Sequence, residues 1–126
     1  MTIDVEVDNR SGTSVDEAGA VALARAVLAA EGVEAGELGL AFVTSDEMRT
    51  LKRDHLGIDE ATDVLSFPID GLDPVPDGVP RALGDVVLCP AMVGEEWSWP
   101  LVHGLLHLLG FEHGGAMEAR EHAHLA

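Results

Sequence analysis

Ile3, Val5 and Val7 alternate with polar residues, the period-two pattern of a half-buried strand. A turn-rich stretch from Asp8 to Thr13 follows. Ser14 and Glu17 have the spacing of a capping box, and the Ala/Leu-rich run behind them predicts a helix to Glu31, stopped by Gly32. Leu38 to Val43 reads as a second strand with Leu38, Leu40 and Phe42 on one face. Thr44 and Glu47 form a second capping box, opening a helix that runs to about Leu56 and ends at Gly57. Asp63 to Phe67 is a short apolar strand closed by Pro68. Ile69 to Arg81 holds three prolines, two glycines and three aspartates, the composition of a mobile, solvated loop. Val86 to Cys89 is a fourth strand, closed by Pro90. Two late helices are expected, at about Pro100 to Leu109 and Ala116 to Leu125. Strands and helices alternating in this way predict an α+β fold, a small mixed sheet of about four strands with helices packed on it.

The length of 126 residues fits one domain spanning 1–126. With 47% hydrophobic and 24% charged residues the chain has the composition of a globular protein and not of a disordered one. Its formal net charge of −16 excludes tight nucleic-acid binding through bulk charge alone and argues against DNA as a partner. One cysteine, Cys89, excludes an internal disulfide framework and suits a reducing compartment. No apolar run reaches the length of a membrane span, and the first residues, MTIDVEVDNR, lack the basic and apolar regions of a signal peptide. The expectation is a cytoplasmic protein with no membrane partner.

The chemistry concentrates in the run from His103 to His113. His103 and His107 are four residues apart, so both imidazoles leave the same face of one helix. Gly110 can end that helix in a left-handed turn and let the chain bring His113 back as a third ligand. Three neutral imidazoles leave one tetrahedral position for water, the pattern of a catalytic zinc and not of a closed structural one. The spacing matches the ligand frame of the metzincin peptidases. Those enzymes need a glutamate directly after the first histidine, and here that position is Gly104. The other histidines read as ordinary: His55 at a helix end, His122 and His124 on a solvated one. Cys89 reads as a small apolar packing residue. Trp97 and Trp99 read as packing residues and not as stacking platforms, because Glu95 and Glu96 precede them in place of cations.

Three segments carry a family resemblance: Thr62-Asp-Val-Leu-Ser-Phe-Pro68, Leu83-Gly-Asp-Val-Val-Leu-Cys-Pro90, and the run from His103 to His113. In this order the chain resembles the YbeY family of bacterial metal-dependent endoribonucleases, the ribosomal RNA maturation factors. The resemblance implies a zincin-like fold and one Zn2+ on His103, His107 and His113. It also implies single-strand-specific cleavage of ribosomal RNA in small-subunit 3′-end maturation, with a role in ribosome quality control. Ser66, a candidate catalytic residue, and Asp63 fall near the site if that fold holds.

Three features depart from the family pattern. Leu56 stands where many members carry an arginine thought to contact RNA phosphate, with Arg53 one turn earlier as a possible substitute. The segment between Pro90 and His103 is short. The net charge opposes RNA affinity, which a basic small-subunit ribosomal protein would offset. With no glutamate after His103, the proton acceptor is sought at Asp85, at Glu112 or on the substrate phosphate, and Glu112 is also a candidate hydrogen-bond partner for a ligand imidazole. The competing readings are a metal-stabilised, non-enzymatic ribosome-assembly module and, disfavoured by Gly104, a zinc peptidase.

Overall fold

A computed structural model describes residues 3–125. The elements run β1 (Ile3–Asn9), α1 (Glu17–Ala30), β2 (Gly36–Phe42), α2 (Ser45–Leu56), β3 (Val64–Pro68), β4 (Ala82–Leu88), α3 (Pro90–Val93), α4 (Ser98–Leu108) and α5 (Gly115–Leu125). The four strands form one sheet in the order β1-β2-β4-β3. β1, β2 and β4 are parallel, and β3 pairs antiparallel with β4 at the edge. This is the expected α+β fold with a mixed four-stranded sheet. No described helix is long and apolar enough to cross a membrane.

Two helix starts show how local signals resolve. Thr44 caps α2 as expected, its side chain accepting from the Glu47 backbone N–H. At α1 the cap is Asp16 and not Ser14: its carboxylate accepts from the Gly19 N–H at 2.9 Å. Both are good capping residues, and the carboxylate adds a charge that suits the helix N-terminus. The short segment after Pro90 holds only the single turn of α3 before α4 begins at Ser98.

Side chains alternate across the sheet. Leu38, Leu40, Phe42, Val86 and Leu88 join Leu101, Leu105, Leu106 and Leu108 of α4 and Ala20, Ala24, Val27 and Leu28 of α1 in the larger core. Val43, Met48, Leu65, Val87 and Cys89 form a smaller core that includes Met48 of α2. Cys89 is buried there, as its apolar reading anticipates.

β4 starts four residues earlier than its sequence pattern suggests. A bulge lies opposite Glu37 and Leu38, where Leu83 is the extra residue, so Leu83 and Val86 enter the same core although they are three apart. Gly84 makes the bulge possible. Its φ is +138°, and a Cβ there would lie 2.4 Å from the Phe67 carbonyl oxygen. Gly84→Ala is therefore expected to cost about 2–4 kcal/mol through strain and overpacking. Urea denaturation of the two proteins measures it; an unchanged midpoint would contradict this account of the bulge.

Candidate metal centre and its cleft

α4 has two working faces. Its apolar face lies on the sheet, and there Gly104 is closed in: a Cβ would stand 2.8 Å from Val86 Cγ1 and 3.1 Å from both Ser66 Oγ and Val64 Cγ2. The other face carries His103 and His107, both half-buried. The helix ends in a Schellman turn, with the Gly110 N–H donating to the His107 carbonyl and the Phe111 N–H to the Leu106 carbonyl. Gly110 takes φ +95°, and the reversed chain brings His113 over the other two rings.

The three rings meet with centroids 4.6–5.0 Å apart. One nitrogen from each lies within 4.8 Å of the others. Each helix histidine is oriented through its Nδ1. His107 Nδ1 donates to the Phe111 carbonyl at 2.9 Å, and His103 Nδ1 donates to Glu121 Oε1 at 3.2 Å. Both Nε2 lone pairs are thereby turned inward, 3.1 Å apart. Two acceptors at that distance call for a cation between them. Nitrogen ligands of a tetrahedral zinc, bound at 2.0–2.1 Å, stand about 3.3 Å apart. The donor set therefore fits a metal. Burial, above all, holds the His107 imidazolium below its ordinary range, and repulsion from His103 and His113 adds to this against the opposing Phe111 carbonyl. The neutral ring that results is the form that binds metal.

Glu121 was not foreseen. It is 3% exposed, the buried charged residue among those described, and it occupies the role that sequence reasoning offered to Glu112. Its signal was faint: Met117 and Glu121 are four apart on α5 and both are buried, so a carboxylate sits on the apolar stripe. α5 is held by a second cluster. Arg120 donates to Glu31 Oε2 at 2.5 and 2.8 Å, and His124 Nε2 reaches the same oxygen at 2.5 Å. This corrects the reading of His124 as solvated: its side chain is 7% exposed.

The other expected residues separate. Ser66 and Glu112 line one cleft of about 660 Å³ together with the three histidines. The Ser66 hydroxyl donates to the Gly104 carbonyl at 2.9 Å and ties β3 to α4. Asp63 lies at the same cleft, its carboxylate accepting from the Val64 N–H at 2.8 Å. Asp85 is not brought there. It shares its side of β4 with Val87, opposite the Val86 face that meets α4, and lies against Gly39 in a separate depression. The alternation of strand side chains removes it from proton transfer at the histidines.

Leu56 does line the cleft and is 58% exposed. Arg53 does not; it pairs with its neighbour Asp54 at 3.6 Å. The cation lining this cleft, among the described residues, is Lys52, one helical turn before Leu56 on the same face of α2. Its side chain is 15% exposed and pairs with Glu60 at 3.2 Å. His55 packs edge-on against Phe67. Trp97 packs against the larger core as expected, whereas Trp99 is exposed at the cleft, which corrects its reading as a packing residue.

A late helix with two histidines, a third on the following turn and a small mixed sheet beneath them together define a zincin-like α+β hydrolase. The family model described as Endoribonuclease YbeY matches residues 6–125. An Endoribonuclease YbeY of Mycolicibacterium paratuberculosis is 36% identical, the match covering 94% of this chain and 77% of that one. That of Rhodococcus opacus is 38% identical over 94% and 76% of the two chains. A solution structure of a Thermotoga maritima protein shares the fold, with a TM-score of 0.58 at 20% identity over 98% of this chain and 87% of that one. The chain belongs to the YbeY endoribonuclease family, a family of hydrolytic nucleases.

The Glu31 cluster gives a pH prediction. Burial by itself pushes the Glu31 carboxyl up, but hydrogen bonds from Arg120 and His124 together outweigh it and hold the group below its ordinary value. A depressed carboxyl stabilises the fold above its unfolded value of about 4.5, and this is lost as pH falls through the folded value. Glu31→Gln should cost about 1.5–3 kcal/mol at neutral pH, as for hydrogen bonds to a charged group. The gap between variant and wild-type stability should narrow in acid. A gap that is constant with pH in denaturation curves would exclude the charge as its source.

Proposed function

We propose that this protein is a single-strand-specific endoribonuclease, dependent on one zinc ion held by His103, His107 and His113, acting in small-subunit ribosomal RNA maturation and quality control. The observation that carries this reading is the convergence of three inward-facing imidazoles on an open cleft that also presents a lysine. Membership of the YbeY family supports RNA as the substrate. It also weighs against a non-enzymatic assembly module. A peptidase reading lacks its base: position 104 is glycine, and a Cβ there would press on Val86, Ser66 and Val64.

Zinc bound by the three histidines would supply Lewis-acid polarisation of a phosphoryl oxygen and of an attacking water. The chain's own residues do the rest. Glu121 and the Phe111 carbonyl fix the tautomers of His103 and His107. Lys52 meets the phosphate backbone at the cleft wall, in the place that Arg53 was expected to fill. Of the cleft carboxylates, Asp63 is engaged by the Val64 N–H, so Glu112, beside His113, accepts the proton. Ser66 keeps β3 against α4. The excess of acidic groups elsewhere suits a chain that works in the cytoplasm beside basic ribosomal small-subunit proteins, which offset its net charge of −16.

Purified protein should contain about one zinc per chain, and His107→Ala should lose most of it. Chelation should lower the melting temperature of wild type, since a ligand held only by the folded state stabilises it. Elemental analysis showing full zinc in the variant would refute the ligand assignment.

Single-stranded RNA should be cut by the zinc form and spared by folded His103→Ala protein, with casein left intact. Lys52→Ala should weaken cutting and reduce the salt slope of RNA affinity by about 0.7, the share of one phosphate contact on a single strand. An unaltered slope would remove Lys52 from the interface. Cleavage of casein would reinstate the peptidase reading.

A further inference from the structure

Trp99 is 43% exposed, yet it lines the histidine cleft. It precedes His103 by four residues and His107 by eight, so the three side chains form one stripe along α4. Four residues of helix rise about 6 Å, comparable with the span of a single nucleotide. The edge contact of Trp99 with His122 of α5, at 5.7 Å and 71° between rings, steadies the indole without enclosing it. Lys52 faces the same cleft from α2. A flat aromatic group that shares a cleft with a cation and with the histidine centre has the parts of a single-strand platform: the ring takes a base face while the lysine takes the backbone.

We infer that Trp99 stacks on one unpaired base of the substrate, positioning the neighbouring phosphate at the histidine centre and selecting single strands over duplexes. The inference rests on the proposed reading of the cleft as an RNA-cutting site. Bases in a duplex are already stacked and paired, so offering one to Trp99 costs unstacking energy that a single strand does not pay. Trp99 is in this view a specificity residue. It does not touch the reacting atoms, and its loss acts on substrate binding before it acts on turnover.

The test uses the zinc-loaded full chain and a short single-stranded oligoribonucleotide. Binding should quench tryptophan emission in wild type, and Trp99→Leu should abolish that quenching. Trp99→Leu should also raise KM about tenfold, the worth of one base–aromatic stack, with kcat little changed. Trp99→Phe, which keeps a π face, should recover part of the loss. Replacing successive bases by abasic sites should reproduce the KM rise at one position only, and there Trp99→Leu should add nothing. That scan needs only wild-type protein, so it holds even if the leucine variant fails to fold. Equal KM values for wild type and Trp99→Leu, or an abasic scan without a sensitive position, would overturn the platform while leaving the nuclease reading intact. Quenching and abasic-sensitive binding in a wild-type protein that cuts no RNA would uphold the platform and sink the nuclease reading.

Discussion

The close approach of α4 to the sheet at Gly104 is the constraint from which the rest follows. Without a Cβ there, the helix comes within van der Waals contact of Val64, Ser66 and Val86, and the Gly104 carbonyl comes within reach of the Ser66 hydroxyl. Seating one face so tightly fixes the rotation of the helix about its own axis. That rotation decides where the opposite face points, and the opposite face carries His103 and His107. A side chain at position 104 would stand 2.8 Å from Val86 Cγ1 and 3.1 Å from Ser66 Oγ and Val64 Cγ2, so α4 or these side chains would have to give way. The residue that stands in place of a peptidase base is thus the one that seats the histidine helix on the sheet.

The histidines are then held from outside the sheet. Two of the three imidazoles are oriented by unlike devices. His107 relies on the carbonyl of the turn that ends its own helix, a local arrangement that forms with α4. His103 relies on Glu121, eighteen residues further on, and so on the docking of α5. That docking is in turn secured by Arg120 and His124 on Glu31, at the end of α1. A chain of contacts therefore leads from the end of the first helix to one ring of the centre. Burying the carboxylate of Glu121 would be costly unless its charge were compensated. His103 supplies a hydrogen bond, and a cation among the three imidazoles would supply the remaining compensation.

What could be read from the sequence was whatever is written locally. Alternation located β1 and β2, the Thr44 cap located α2, and the four-residue spacing of His103 and His107 with Gly110 behind it outlined the histidine cluster. The failures share a cause: each depends on a partner distant in sequence. β4 begins at Ala82 because β2 pairs with it from Glu37 onward, and its bulge breaks the alternation that would have announced it. Asp85 lies in a family-like segment, but only the register of β4 tells which side of the sheet it faces. Glu121 resembles any acid of a charged terminal helix until Met117 is seen to be buried one turn before it. Lys52 and Arg53 are adjacent in sequence and equally basic. A rotation of about 100° along α2 puts one at the cleft and the other beside Asp54.

A chain this acidic, in a family of nucleases, must hold an anionic substrate against its own charge. Affinity for a polyanion can come from a broad positive field or from a few well-placed contacts, and a net charge of −16 leaves only the second. The cleft is equipped for it. Lys52 is the cation on its wall, and its pairing with Glu60 limits its attraction for phosphate in solution. The histidine centre adds positive charge only when it holds a metal. Exposed Leu56 and Trp99 supply apolar and aromatic surface, whose contribution does not fall with salt as ion pairing does. A site so equipped would favour a strand that presents both a base face and a phosphate at once over phosphate backbone alone. Under the proposed reading, selectivity would come from this scarcity of positive charge, because a duplex offers the phosphate but withholds the base.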